Sequence, residues 1–423
     1  MIEANPVKVA EATAQKLSLM ERAKSLDSLR GLDILIMIFV NDLAGVRDVP
    51  AWMKHVQPPL ADGMTFVDVV FPAFLFIVGM SIPFAIGRRI EKGDSLWQIW
   101  KHVLTRTLAL LVIGFFMVNG ENISDQSLVS PRVWTLLMFL GVILIWNEPS
   151  PGAGRKRILT VGMRAVGVGL LVLMAVCYRG QTPESGFFQM RPHWWGILGL
   201  IGWAYLVGCI AYSLFRNQMA AMVGVMALLY CTYMAEAAGA FSSLAWFTRW
   251  VDIGSMLGSH AAIVVSGTIL GMILTPNSSV KSDRARMQWA LFYGLGLAAA
   301  GSLLHAAHGV HQMFIINKIL ATPPWCLWCA AITTWVWLGI YWLMDVQKKT
   351  RWAALLEPAG QNPLFAYILS SILVSLFALL GRFNFHHVLG QSFAIGFWRS
   401  VAYAFLVTWL AGGLSRVGIR LRL

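Results

Sequence analysis

The chain has 423 residues, of which 57% are hydrophobic and 13% charged, and its formal net charge is +13. Soluble globular domains carry about 25% charged residues, so the composition excludes an ordinary water-soluble fold. The mean hydropathy of +0.65 indicates a chain embedded in a membrane. Such a positive charge in a soluble protein would suggest nucleic acid, but basic loops on one membrane face account for it, and we expect no nucleic-acid partner.

The first 30 residues are polar and helix-prone, and the first apolar run follows them directly. A membrane-spanning helix needs about 20 mostly apolar residues. Twelve segments approach that length: 32–51, 66–87, 101–118, 132–147, 158–177, 194–215, 219–237, 254–275, 288–306, 325–344, 362–380 and 393–413. We therefore predict an all-α, polytopic transmembrane bundle of 11–12 helices. The predicted organisation is a cytoplasmic segment at 1–30, without a cleavable signal peptide, and one transmembrane domain at 31–423.

The loops alternate in positive charge. With the N-terminus placed inside, 22 of the 33 lysines and arginines lie in inside segments and 8 in outside loops. Lysine and arginine favour cytoplasmic loops. Both termini are therefore predicted to be cytoplasmic.

Polar residues interrupt the apolar pattern where the first two predicted helices face the outside. Asn41 ends the first helix, Asp68 opens the second, and His55 lies in the loop between them. A histidine beside a carboxylate and an amide is typical of a general base. The alternative is that Asn41 and Asp68 only satisfy helix ends, and the pattern alone favours that alternative.

Two further clusters are open to more than one interpretation. His305, His308 and His311 follow the ninth segment, but no fourth ligand completes a zinc site, and Cys326-Leu-Trp-Cys329 lies within an apolar run, so we predict no metal. On the inside, basic residues suit either anionic lipid or the phosphates of a nucleotide. Around the turn between the second and third helices they are Arg88, Arg89, Lys92, Lys101 and Arg106, and between the eighth and ninth they are Lys281, Arg284 and Arg286.

Several stretches resemble the heparan-α-glucosaminide N-acetyltransferase family, which includes bacterial membrane homologues. One runs from Asp62-Gly-Met-Thr-Phe-Val-Asp68 through Pro72 to Gly79-Met-Ser81-Ile82, and its part at 66–82 is specific. Others are Leu26-Asp-Ser-Leu-Arg-Gly31, Phe39-Val-Asn41, Lys54-His55, Gly267-Thr-Ile-Leu-Gly271, Asn317-Lys318 and Pro358-Ala-Gly-Gln-Asn362. The region 147–250 matches poorly, and the loop after His55 is longer than in the family and lacks its tryptophan.

The resemblance implies a multi-pass protein of a bacterial inner membrane that moves an acetyl group from cytoplasmic acetyl-CoA to an amino sugar on the far side. It assigns the catalytic histidine to His55, with Asn41 and Asp68 as its partners. Acetyl-CoA, the sugar acceptor and the lipid bilayer are then the expected partners, and a second copy of the chain is a candidate. The residues expected to hold the cofactor phosphates are Arg88, Arg89, Lys281, Arg284 and Arg286. Residues expected to bind the substrate are Asn317, Lys318, His305 and Asn362.

Other functions remain open on the sequence alone. The start Leu26-Asp27-x-x-Arg30-Gly31 is also similar to a second membrane acyltransferase family, which O-acetylates surface sugars but has a histidine where this chain has Asn41. Twelve helices with both ends inside are common among carriers, so a permease for an amino sugar or N-acetylglucosamine is the main alternative. A non-catalytic protein that binds lipid or a partner is the third. His305 or His308 is an alternative base.

Overall fold

The structure is a computed structural model and describes residues 6–148, 157–181, 189–276, 278–381, 384–421 and 423. Within these ranges the chain is helical, with two isolated β-bridges and no strand, which confirms the predicted all-α class. The helices in chain order are α1 (Pro6–Leu43), α2 (Phe66–Glu91), α3 (Leu96–Glu121), α4 (Pro131–Trp146), α5 (Arg157–Cys177), α6 (Gly196–Phe215), α7 (Met219–Ala237), α8 (Ala245–Thr248), α9 (His260–Leu274), α10 (Asp283–His305), α11 (Pro323–Tyr341), α12 (Glu357–Gln361), α13 (Pro363–Leu379), α14 (Phe385–Val388) and α15 (Phe393–Arg416).

Each of the twelve predicted segments contains a helix. Nine helices in the described part of the chain are long and apolar enough to cross a membrane, whereas α4 and α13 are shorter. The number of crossings and the side of each terminus stay predictions. Four residues of the charge count, Arg155, Lys156, Arg382 and Arg422, lie outside the described residues.

The first predicted segment, 32–51, extends too far. Helix α1 stops at Leu43, and turns follow it because Asp48 adopts a left-handed φ of 55° and Pro50 comes two residues later. At its other end α1 continues without a break through the predicted boundary at residue 30, and Leu26 and Leu29 are buried.

Helices α2 and α9 form the centre of the bundle. Every residue of α9 is buried, from His260 to Leu274. The two backbones approach so closely that a Cβ atom at Gly79 would overlap the carbonyl oxygen of Val264, and one at Gly267 would overlap that of Phe76. Small residues permit such contacts between membrane helices. The Gly267-to-Gly271 motif therefore has a packing role.

Replacing Gly79 with alanine is expected to destabilise the protein by about 1–3 kcal/mol, since the added methyl group forces α2 and α9 apart. Thermal unfolding of purified protein in detergent measures the effect. Gly339→Ala in α11 is the control, because no atom lies within 4 Å of its Cβ position. Equal unfolding temperatures for the two variants would contradict this packing role.

Helix α2 also separates the two ends of the bundle. Its 26 residues extend about 39 Å, which exceeds the roughly 30 Å hydrocarbon thickness of a bilayer. We call the end where α2 begins the His55 end and the end where it finishes the Arg89 end.

Candidate active site

Two loops are joined at the His55 end, and together they surround the start of α2. The amide of Asn317 donates to the carbonyl oxygens of Pro59 and Ala61, at 2.9 Å each, and the Gly63 N–H donates to the Ile316 carbonyl at 2.8 Å. Asn317 is itself buried. The loop that follows α10 is thereby held against the loop that follows α1.

The capping of α2 places Asp68 beside His55. Thr65 is the N-cap residue of α2, and the Asp68 carboxylate accepts the Thr65 N–H at 3.0 Å in a capping box. The other carboxylate oxygen lies 2.6 Å from Nδ1 of His55. Because an ionised carboxylate only accepts hydrogen bonds, Nδ1 carries a proton and Nε2 keeps its lone pair in the neutral ring. The pair therefore has the arrangement of a general base.

Lys318 completes this cluster from the second loop. Its Nζ lies 3.3 Å from each ring nitrogen of His55. Burial lowers the pKa of Lys318, and the charge of Asp68 opposes that shift. The cation is thus placed where negative charge on a reacting group near His55 would be stabilised.

A cavity of about 140 Å³ lies against these side chains. His55, Asp68, Asn317 and Lys318 line it. A water molecule takes about 30 Å³ of liquid volume, so the cavity accepts an acetyl group or an amine but not a whole sugar. The His55 side chain is 47% exposed and that of Asp68 3%, so the remainder of an acceptor would lie outside the cavity.

Asn41 is not part of this cluster. Its side chain is exposed, and no hydrogen bond joins it to His55 or Asp68 within the described chain. The next residue, Asp42, is buried and accepts hydrogen bonds from Arg399 (2.7 Å) and Ser400 (2.6 Å), with His386 at 2.6 Å. Sequence reasoning missed this buried cluster.

His305 contacts Asp62 at the edge of the His55 cluster. Its Nε2 lies 2.8 Å from Asp62, whose other oxygen accepts the Ile316 N–H at 2.8 Å. Desolvation raises the pKa of Asp62, but these two hydrogen bonds prevail and lower it. His308 stacks on His305 with ring centroids 5.0 Å apart. Both histidines therefore stabilise the joined loops.

At the Arg89 end a cavity of about 710 Å³ enters the bundle. Its lining includes four arginines and a histidine: Arg30, Arg89, Arg106, Arg164 and His102. Arg30 is held by Asp27 at 2.9 Å and Ser81 at 2.7 Å. Arg106 lies over the ring of Tyr205, 4.7 Å from its centroid, and its Nε has no hydrogen-bond partner among the residues described.

Of the five residues predicted to hold phosphate, only Arg89 lines this cavity. Arg88 lines a separate cavity of about 660 Å³, and Lys281 donates to the Pro276 carbonyl at 2.8 Å. Arg286 is buried beside Asp283, at 3.4 Å, and Arg284 is exposed. The other four predicted residues lie elsewhere, and their role in phosphate binding stays a prediction.

Asn362 lies away from the His55 cavity. Its amide donates to Ser415 at 3.0 Å, near the end of α15, whereas α15 begins in a cluster with Val46 and Met53 at the His55 end. Asn362 therefore lies at the Arg89 end. It does not contact the cavity beside His55, where it was expected to bind the substrate.

The two cavities remain separate in this structure, because they share no lining residue. The large cavity reaches Met37 on α1 and Phe74 on α2. Phe74 follows Asp68 by six residues, which is about 9 Å along the helix axis. The large cavity therefore ends about two turns of α2 from the His55 cluster.

Comparison with known proteins supports the family resemblance. The family described as "Domain of unknown function (DUF5009)" matches residues 22–254. Heparan-alpha-glucosaminide N-acetyltransferase of Homo sapiens is 30% identical over 135 residues, which are 32% of this chain and 19% of that protein. The Mus musculus protein of the same name is 28% identical over 140 residues, which are 33% of this chain and 20% of the relative. The chain thus spans about a fifth of the length of these curated relatives, and the resemblance predicted from its motifs is confirmed.

Proposed function

This chain belongs to the family described as DUF5009, and we propose that it is a membrane acetyltransferase that moves an acetyl group from acetyl-CoA to the amine of a glucosamine-type sugar. The observation that carries the proposal is the contact between His55 and Asp68 at 2.6 Å, with Lys318 beside the ring. The names of the two curated relatives support the same reaction class.

In the proposed reaction the amine nitrogen attacks the thioester carbonyl carbon, and the bond from that carbon to sulfur breaks. Nε2 of His55 accepts the proton that the amine loses, and the CoA thiolate takes up a proton as it leaves. Asp68 keeps the ring in the tautomer in which Nε2 carries the lone pair. Lys318 stabilises the oxyanion of the tetrahedral intermediate.

A second route uses the same side chains. Nε2 of His55 attacks the thioester carbonyl carbon, the bond to sulfur breaks and the CoA thiolate leaves. The amine then attacks the acetyl carbon, the bond to Nε2 breaks, and Nε2 accepts the proton that the amine loses. Rapid acid quenching of the protein with labelled acetyl-CoA distinguishes the routes, because only the second leaves label on His55.

The cavity at the Arg89 end is the proposed entry for acetyl-CoA. Its arginines supply charge for the phosphates, and its apolar wall continues toward Phe74, along the path that the pantetheine arm would take. We place this end in the cytoplasm and the His55 end on the far side of a bacterial inner membrane, in agreement with the loop charges. Transfer then requires Met37 and Phe74 to move aside for the thioester.

Purified full-length chain in nanodiscs, mixed with acetyl-CoA and a panel of amino sugars, tests the function. The expected result is release of CoA with an equal amount of N-acetylated sugar. Folded protein that releases no CoA with any sugar would contradict the proposal. Uptake of amino sugar into proteoliposomes without acetyl-CoA would instead show a carrier.

Arg106→Gln is expected to weaken acetyl-CoA binding about 10- to 100-fold, because a hydrogen bond to a charged group contributes about 1.5–3 kcal/mol. Calorimetric titration in nanodiscs gives the dissociation constant. Arg88→Gln is the matched control, since Arg88 lines a different cavity. Equal losses in the two variants would show that net charge, and not this cavity, attracts the cofactor.

A further inference from the structure

A third cavity, of about 400 Å³, lies between α1, α2 and α11 and shares no lining residue with the two cavities described above. Its wall is apolar except for Asp33, Thr65 and Thr333. Phe66 and Val336 are exposed at its mouth, and both belong to helices that are able to span a membrane. The groove therefore opens sideways, toward the hydrocarbon of the bilayer.

Asp33 is the unusual member of this wall. Its side chain is buried, and Oδ2 has no hydrogen-bond partner among the described residues. Arg30, one turn earlier on α1, is already engaged by Asp27 and Ser81. Lys318 lies at the far end of the bundle beside His55. No ion pair to Asp33 is present within the described ranges.

An unpaired carboxyl group at this depth is costly, and ionisable groups inside membrane helices usually face a ligand path or a charged partner. A ligand ammonium would supply the missing partner, and the low dielectric would strengthen their attraction. A ligand phosphate or carboxylate would be repelled. The groove volume falls within the 300–1,000 Å³ typical of small-molecule sites.

We propose that this groove binds a lipophilic primary amine, with its ammonium group against Asp33 and its apolar body along α2 and α11. On α2 the groove runs from Phe66 to Ile77, which is about 16 Å. That length is about half the hydrocarbon thickness of a bilayer, so a single alkyl chain fills it. The site goes beyond the acetyltransferase reaction, because its ligand has no direct contact with the His55 cavity.

Photolabelling of the full-length chain in phosphatidylcholine nanodiscs tests the proposal. The probes are dodecylamine, dodecanol and dodecanoate, each with a diazirine in the alkyl chain, together with a diazirine-labelled phosphatidylethanolamine. Dodecylamine is expected to label peptides of α1, α2 and α11 at least about tenfold more than the other three probes. The experiment needs no acetyl-CoA, so its outcome is independent of the proposed enzyme activity.

Asp33→Asn is expected to lower dodecylamine labelling at least about tenfold, to the level of dodecanol labelling. Asp48→Asn, in the exposed loop after α1, is the matched control and should keep the preference. Ala73→Trp, which fills the groove, should abolish labelling by dodecylamine and by dodecanol alike.

Equal labelling by the amine and the alcohol would overturn the proposal, and so would a preference that survives Asp33→Asn. If the Asp33→Asn variant does not fold, a competition experiment with the wild-type chain tests the proposal instead. Unlabelled dodecylamine must then protect the groove peptides at concentrations at which unlabelled dodecanol does not, and equal protection would reject the site.

Discussion

His55→Ala is expected to lower the rate of acetyl transfer about 10²- to 10⁴-fold, the usual contribution of a positioned general base. The expected loss lies in kcat, while acetyl-CoA binding is retained, because the proposed cofactor cavity shares no residue with the His55 cavity. Product formation at saturating acetyl-CoA measures the rate, and calorimetric titration measures the affinity.

His308→Ala is the matched control for this variant. His308 is also a loop histidine at the same end, but its ring contacts His305 and not Asp68. We expect its kcat to stay within a few-fold of the wild-type value. If His55→Ala keeps its kcat while His308→Ala loses it, the base has been assigned to the wrong histidine.

Asp68→Asn is expected to lower kcat about 10³- to 10⁴-fold, the size of effect seen when the carboxylate partner of a catalytic histidine is replaced by an amide. The asparagine amide would donate to Nδ1 of His55, and the ring proton would move to Nε2, where the base is needed. Asparagine is also a good N-terminal capping residue, so the start of α2 should survive.

The pH profile separates this role from a structural one. Asp68→Asn should stay slow at every pH, with unchanged acetyl-CoA affinity. Asp62→Asn is the control, because Asp62 pairs with His305 and not with His55. A comparable loss in both variants, with lower unfolding temperatures, would point to loop stability and would argue against tautomer control.

Sequence reasoning succeeded where two residues are close along the chain. His55 and Asp68 are 13 residues apart, in a loop and at the helix start that follows it, so their contact at 2.6 Å was predictable. Lys318 is 263 residues from His55 along the chain. The resemblance marked Lys318 as a site residue, but no sequence pattern indicated that it contacts the ring.

Adjacent polar residues on a helix were the main source of error. Successive side chains on an α-helix point about 100° apart. Asn41 was chosen, whereas Asp42 is the buried neighbour, and Arg88 and Arg89 line different cavities. Composition identifies the polar end of a helix, but only the packing of its neighbours decides which side chain faces a cavity.

Buried pairing is a second feature that sequence reasoning did not reveal. Arg286 was assigned to phosphate from its loop, yet Asp283 on the same helix already pairs with it, and Tyr341 donates to that carboxylate at 2.6 Å. Arg30 was noted in a family motif without a site role, although it lines the large cavity. A count of loop charges does not show which arginines are neutralised inside the protein.

In the proposed reaction, helix α2 sets the distance between the residues that would bind the two ends of acetyl-CoA. Arg89 follows Asp68 by 21 residues, a separation of about 32 Å along the axis. Ser81, which accepts a hydrogen bond from Arg30, lies about 20 Å from Asp68 along the same helix. A continuous helix of this length would favour a thioester long enough to reach both ends. Short acetylated thiols would contact only one end of the helix. The nucleotide part of acetyl-CoA would therefore contribute the length of the donor as well as its phosphate contacts.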